Sequence, residues 1–272
     1  MVAAAQPAPS VAPRRSRSVP PALRAYEYCL LAYRRTWRGS LTTSFLYPVL
    51  YLAAIGVGLG KLVRQHGSVA GVSYLVFLAP GLLASTAMQI GTNESTYPVM
   101  AGIKWLKTYA AMLASPLEVT DVLYGNLAWI ATRVAMASAV FLAIMAAFGT
   151  VRSPWAILAF PAAVLTGAAF AAPVVAFSAT RTTDQSFVVL YRFGVVPLFL
   201  FSGTFFPVSQ LPGWLQAFAR WTPLYHGVAL CRGLVLGRLT WSEGVLNVAY
   251  LAVMCLAGVL AGRVTFRRRL VQ

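Results

Sequence analysis

The sequence predicts an all-α membrane protein with six transmembrane helices, an amphipathic helix ahead of the first span, and re-entrant outer helices between spans five and six. Three observations predict it. The 272 residues are 59% hydrophobic and only 10% charged, whereas soluble domains are about half apolar and a quarter charged. Apolar residues run on for about 20 positions at a time, enough for a spanning helix, and do not alternate as barrel strands do. Between the last two apolar runs lies "FFPVSQLPGWLQAFARWTPLYHGVALCRGLVLG". It is too rich in Pro, Gly and Arg to cross as one helix and too apolar for a water-exposed loop.

Residues 1–20 are rich in Ala, Pro, Ser and Arg. They read as a disordered cytoplasmic tail, because no apolar core follows the arginines as it would in a signal peptide. Over residues 21–38, Leu23, Tyr26, Leu30, Tyr33 and Trp37 recur at helical spacing, with Arg24, Arg35 and Arg38 off the stripe. That pattern is a basic amphipathic helix lying in the membrane interface, or one binding a soluble partner. Residues 39–272 hold the six spans. The first is expected over 41–60, with Pro48, and a polar loop follows over 61–70. The second is expected over 72–91, with Pro80 inside, tolerated where neighbouring helices cover the break.

A polar stretch then carries a short helix over 102–114, with Lys104, Lys107, Thr108 and Ala111 on one face and Leu106, Tyr109 and Leu113 on the other. Ser115-Pro116-Leu117-Glu118 reads as a capping box that starts a helix at Pro116. That helix continues to about Phe148, some 50 Å from the helical rise against a hydrocarbon core of about 30 Å, so its first turns protrude. Arg133 then falls near the inner boundary, where it can snorkel. Ser153-Pro154 caps the fourth span, 155–178, and "TRTTDQ" is a polar turn. The fifth span covers 186–206, with Arg192 and Pro197. In the hairpin 207–237, Leu211, Trp214, Leu215 and Phe218 share a face, Thr222-Pro223 is a second helix start and Gly237 a stop. Two helices of about ten and fourteen residues are shorter than a span. They dip into the outer leaflet and return, or lie on it as a peripheral hairpin. Thr240 and Glu243 form another capping box ahead of the sixth span, which ends near Gly262.

The net charge of +16 sits at span ends and tails, which is the positive-inside pattern, with no sign of nucleic-acid binding. Arginines 14, 15, 17, 24, 34, 35, 38, 181, 263 and 267–269 with Lys104 and Lys107 fall on one side. Lys61, Arg64, Arg152, Arg220, Arg232 and Arg238 fall on the other. The bias puts both termini in the cytoplasm. Cys29, Cys231 and Cys255 have neither metal-ligand nor disulfide spacing and suit apolar roles.

The segments "GVGLGKLV", "YLVFLAPGLLASTAM", "ESTYPVM", "TYAAMLASPLEVTDVLYGNLAWIATR", "LFLFSGTFFPVSQLP", "PLYHGVALCRGLVLG" and "RRRL", in this order, resemble the permease subunits of type-2 ATP-binding-cassette exporters. Within them they are most similar to the nodulation-factor, or lipo-oligosaccharide, export permeases. The resemblance covers about Gly56 to Leu270 and implies a multi-pass protein of the bacterial inner membrane. The amphipathic helix 21–38 then resembles the elbow helix, and 102–114 the coupling helix that docks in the ATPase. The "TRTTDQ" turn resembles a second cytoplasmic contact. The hairpin resembles the helices that close the exit. The implied partners are two ATP-binding-cassette ATPase subunits, a second permease and membrane lipids. At Gly125-Asn126 the sequence departs from the family, which often has an acidic residue after that glycine.

No G-x-x-x-x-G-K-[ST] occurs, so no cofactor is expected on this chain, and ATP with Mg is expected on a partner subunit. The six acids, Glu27, Glu94, Glu118, Asp121, Asp184 and Glu243, avoid mid-membrane, where a coupled carrier usually keeps one. His66 and His226 stand alone, with no catalytic or metal partner, and His226 suits a structural hydrogen bond near Arg232. Coupling to the ATPase is expected of Lys104, Trp105, Lys107, Thr108, Tyr109 and Asp184. Transmission is expected through an ion pair of Glu94 with Arg24 or Arg34. The substrate path is expected along Met88, Tyr191, Phe193, Phe199 and Phe201, residues that core packing or lipid contact also explains, at an interface between spans two and five. An outer gate is expected of Phe206, Trp214, Phe218, His226 and Arg232. Lipid-linked or amphipathic glycan is the expected cargo, with drugs or other lipids as alternatives. A membrane enzyme on lipid-linked sugars, a channel and a secondary carrier are the readings of other classes.

Overall fold

The structure, a computed structural model, describes residues 20–54 and 71–271. Residues 1–19 of the expected tail, the "GVGLGKLV" end of the first span, and the polar loop with Lys61, Arg64 and His66 lie outside the described residues. Every element described is helical. Helix α1, Pro21–Ala53, is continuous for 33 residues, so the expected separation of an elbow helix from the first span does not occur. Gly39 and Ser40 weaken a helix but remove no backbone donor, as a proline would.

Helix α2, Tyr74–Ser95, bends at Thr96 and continues as α3, Tyr97–Met100, and a π-turn, Ala101–Trp105. Lys107 then takes a left-handed backbone, φ 51°, and opens α4, Thr108–Leu113. The segment expected as one helix over 102–114 is therefore two pieces joined at a sharp turn. Helix α5, Val119–Ala147, starts three residues later than expected. The Asp121 carboxylate accepts the Glu118 N–H at 2.9 Å, while the Ser115 hydroxyl donates to the Met112 carbonyl. The carboxylate one turn into the helix wins the capping role because it faces the positive end of the helix dipole.

A 3₁₀ turn, Pro154–Leu158, with Ser153 Oγ accepting the Trp155 N–H, leads into α6, Ala159–Thr180. Helix α7, Gln185–Leu190, passes through a π-turn, Tyr191–Val195, into α8, Val196–Phe201. The π-turn sits beside Pro197, which has no N–H to give to the turn before it. Helices α9, Gly213–Arg220, and α10, Pro223–Leu236, follow. Thr222 Oγ1 caps α10, and Gly237 ends it at φ 68°. Helix α11, Trp241–Leu270, opens on the expected Thr240–Glu243 box and runs on through the terminal arginines, which favour a helix C-terminus.

Four helices among the described residues are long and apolar enough to cross a membrane: Tyr74–Trp105, Val119–Ala147, Pro154–Thr180 and Trp241–Leu270. The expected fifth span is the apolar run Gln185–Phe201. From the helical rise it reaches about 25 Å against a hydrocarbon core of about 30 Å. The expected first span begins in α1 and ends outside the described residues.

Small residues set the packing. A Cβ on Gly91 of α2 would strike the Gly167 carbonyl of α6, and one on Gly258 of α11 would strike the backbone at Pro173 of α6. Close backbone approach of this kind holds helices together where lipid removes the hydrophobic drive. Helix α6 thus sits at the centre, with α2, α5, α10 and α11 around it and α1 on α5.

Candidate functional site

The segments expected on the inner side meet at one end of the bundle. Lys104 Nζ donates to the Thr182 carbonyl at 3.0 Å, tying the π-turn after α3 to the "TRTTDQ" turn that ends at the exposed Asp184. Tyr97 packs edge-on against Phe187 at 5.1 Å. Lys104, Trp105, Leu106 and Lys107 form an exposed tip, with Trp105 56% and Leu106 70% accessible. Leu106 therefore does not share the buried face of Tyr109, because the left-handed turn at Lys107 breaks the helical register expected between them.

Behind the tip, Tyr109 is sealed. Its ring lies 5.9 Å from Phe266 of α11 and fills the space a Cβ on Gly102 would need. Asn126 Nδ2 of α5 donates to its phenol oxygen. Burial pushes the Tyr109 phenol well above its ordinary value, so it stays neutral. Thr108 Oγ1 donates to the Gly102 carbonyl at 3.4 Å. Of the expected coupling residues, Lys104, Trp105, Lys107 and Asp184 stand at the surface, whereas Tyr109 anchors the tip to α5 and α11.

Beside this anchor, Glu94 of α2 pairs with Arg133 of α5 at 3.1 Å. Arg133 also lies over the Tyr33 ring at 4.6 Å, and Tyr33 meets Trp129 at 5.2 Å. This corrects the expected pairing of Glu94 with Arg24 or Arg34, both of which are exposed. Arg133 does not snorkel: a carboxylate on the neighbouring helix satisfies it inside the bundle. Burial, with the Glu94 charge behind it, pushes the nearby Cys29 thiol up to about 11, so it stays a thiol at neutral pH.

The segments expected outside meet at the opposite end. The Arg152 N–H donates to the Val235 carbonyl at 3.2 Å, and Tyr74 OH donates to the Phe205 carbonyl at 3.1 Å. Arg232 of α10 is the centre of this end. Its guanidinium donates to the carbonyls of Phe77 at 3.0 Å, Gly203 at 2.8 Å and Thr204 at 3.2 Å, and lies 3.8 Å over the Phe77 ring. It thereby satisfies carbonyls freed where α8 ends, which an apolar setting would otherwise leave unpaired. His226 does not bond Arg232; its Nδ1 meets Asn247 Oδ1 of α11 at 2.7 Å and its ring stacks on Tyr250 at 4.0 Å. Trp214 and Phe218 on α9 point outward, 74% and 55% exposed, while Phe206 is half-buried.

The start of α10 is held by the end of α8 and by α11. Thr222 Oγ1 meets Ser202 Oγ at 3.1 Å, and Tyr250 OH donates to the Trp221 carbonyl at 2.5 Å. Tyr250 lies about 14 Å along α11 from Trp241, from the helical rise. The far end of α10, at Gly237, lies against Ser153.

The expected path residues divide. Met88 is fully buried in the core of the single chain and lines no path there, because α2 is covered on nearly every side. Tyr191 OH donates to Asn93 Oδ1, and Phe199 packs edge-on against Phe205 at 4.9 Å. Phe193 is 74% exposed and Phe201 half-buried. With Val188, Val189, Val196 and Leu200, Phe193 makes an apolar outer face on α7–α8. Sequence reasoning missed Asn93 and Asn247 as partners. For Asn247 the signal was present, since a polar amide in an apolar run needs an internal partner; Asn93 lies in a polar stretch that gives no such sign.

The family model described as ABC-2 type transporter matches residues 26–236. Nodulation protein J of Rhizobium leguminosarum bv. trifolii is 35% identical over 207 residues, 76% of this chain and 78% of the relative. Nodulation protein J of Rhizobium meliloti (strain 1021) is 31% identical over 88% of this chain and 90% of its own. That of Rhizobium leguminosarum bv. viciae is 31% identical over 89% and 92%.

Proposed function

The chain belongs to the ABC-2 type transporter family, and from that premise we propose that it is the permease subunit of an ATP-driven exporter carrying an acylated, lipo-oligosaccharide type of glycan out of the cytoplasm or inner leaflet. It works with two copies of an ATPase subunit that bind ATP and Mg, and with a second permease. Its place is the bacterial inner membrane, with both termini inside. The relatives named Nodulation protein J support the cargo class.

One observation carries the coupling role. Trp105 and Leu106 are held out into solvent between Lys104 and Lys107, on a tip pinned from behind by Tyr109 and from the side by Thr182. Exposed apolar anchors ringed by charge are what a partner groove takes up. Force on this tip passes through Tyr109 to Asn126 on α5, and through Lys104 to the turn before α7. Glu94, Arg133 and Tyr33 bind α2, α5 and α1 into one body, so these move together. Helices α9 and α10 then form a re-entrant outer gate, with Arg232 holding it shut against α2 and the end of α8. The apolar face with Phe193, continued by Tyr191, Phe199 and Phe201, meets the second permease and guides acyl chains.

The test replaces Lys104, Trp105 and Lys107 together by Ala. Loss of ATPase co-purification and of export from membrane vesicles is expected, with the permease still inserted. Persistence of both would sink the coupling role. Comparing an acylated with a deacylated oligosaccharide in the same vesicles tests the cargo, of which only the acylated form is expected to move.

A further inference from the structure

A cleft of about 920 Å³ lies between the α4–α5 junction and the C-terminal end of α11. Arg263, Arg267 and Arg268 line one side of it, Glu118 lines the other, and Val119 and Val264 contribute apolar wall. The three arginines are exposed. Arg263 Nε donates to Tyr124 OH and its guanidinium lies 5.2 Å over that ring. Among the described residues the ion pair found is Glu94 with Arg133, remote from this cleft. The Glu118 carboxylate accepts from the Thr120 hydroxyl at 3.4 Å.

Like charges spaced four apart on a helix repel, as Arg263 and Arg267 do. One acid facing three cations leaves the cleft positive. Depth matters as much as charge. Arg263 and Arg267 fall about 33 and 39 Å along α11 from Trp241, from the helical rise; past a hydrocarbon core of about 30 Å this puts Arg263 in the headgroup layer and Arg267 at its outer edge, where a long side chain reaches back to it. The cleft thus offers guanidinium groups at phosphate level and apolar wall alongside.

We propose that this cleft binds an anionic phospholipid, its phosphate on the arginines and the start of its acyl chains on Val119 and Val264. The inside orientation proposed above decides only which leaflet supplies the lipid. Cationic pockets at the inner ends of helices hold anionic headgroups in this way, each Arg adding attraction that salt screens only partly.

Native mass spectrometry of the permease in detergent, with phosphatidylglycerol against phosphatidylcholine, tests the site without reference to orientation. The wild type is expected to retain phosphatidylglycerol under activation that strips phosphatidylcholine. Arg267→Gln with Arg268→Gln leaves the Tyr124 contact intact and is expected to weaken phosphatidylglycerol roughly five-fold per arginine. Lys at both positions is expected to restore the preference. Millimolar inorganic phosphate is expected to leave the adduct in place, since phosphate has nothing for the apolar wall. Equal retention of the two lipids, an unchanged Gln variant, or displacement by phosphate overturns the proposal. So does a Gln variant that loses the ATPase subunit while keeping its lipid, because the cleft would then be a protein-docking surface.

Discussion

Tyr109 and Asn126 form a neutral link at the position after Gly125, where the resemblance leads one to expect an acidic residue. A buried phenol and amide bonded to each other cost little together and much apart, because breaking one strands the other. Asn126→Leu is therefore expected to lower thermal stability in detergent by about 1–3 kcal/mol. Adding Tyr109→Phe is expected to recover most of that loss in a double-mutant cycle. Additive losses would mean that the two side chains do not bond. The Glu94–Arg133 pair is half-buried, with side chains 24% and 16% exposed, and Arg133 keeps the Tyr33 face if the acid is removed. Glu94→Gln is expected to cost about 1 kcal/mol, and Arg133→Leu more, since it leaves a carboxylate in a partly desolvated cluster. Equal effects from the two variants in the same melts would exclude that asymmetry.

Among the elements, α10 depends most on a single side chain. Arg232 gives its donors to two carbonyls where α8 stops and the chain turns back, Gly203 and Thr204, and to the Phe77 carbonyl of α2. Arg232→Met keeps the length of the stem and loses all three bonds, so it is expected to destabilise the outer end by about 3 kcal/mol or more. Proteolysis between α8 and α9 is expected to rise with it. Unchanged protease sensitivity would show that the carbonyls find other partners. Helix α6 is the corresponding element for the bundle. Its Gly167 touches α2 and α5 at once, and Gly167→Val is expected to prevent accumulation of folded protein, read by fluorescence-detected size exclusion. Normal yields would mean that the helices can part without cost.

For the whole molecule, the two groups of segments sorted by charge also sort in space: Lys104, Thr182 and Phe266 at one end, and Arg152, Phe205 and Gly237 at the other. The inside orientation predicts that Lys107→Cys reacts with an impermeant maleimide only after cells are opened, and that Ser242→Cys reacts in intact cells. The reverse pattern would invert the protein. Phe193→Cys, in a background without native cysteines, is expected to form a disulfide-linked dimer in membranes if the second permease is a copy of this chain. A monomer under oxidising conditions would exclude a homodimer meeting at that face.

The sequence by itself determined the helical class, the approximate places of four long apolar helices, the caps at Ser153, Thr222 and Thr240, and the stop at Gly237, because periodicity and end signals act within a few residues. It also marked Lys104 to Lys107 as the segment to watch. Only the tertiary structure decided that α1 runs unbroken, that Lys107 turns left-handed, that Met88 is core, and that Glu94 chooses Arg133 over Arg24 or Arg34. Partner choice depends on which helices a close glycine contact brings side by side, and residues far apart in the chain carry no local sign of that neighbour.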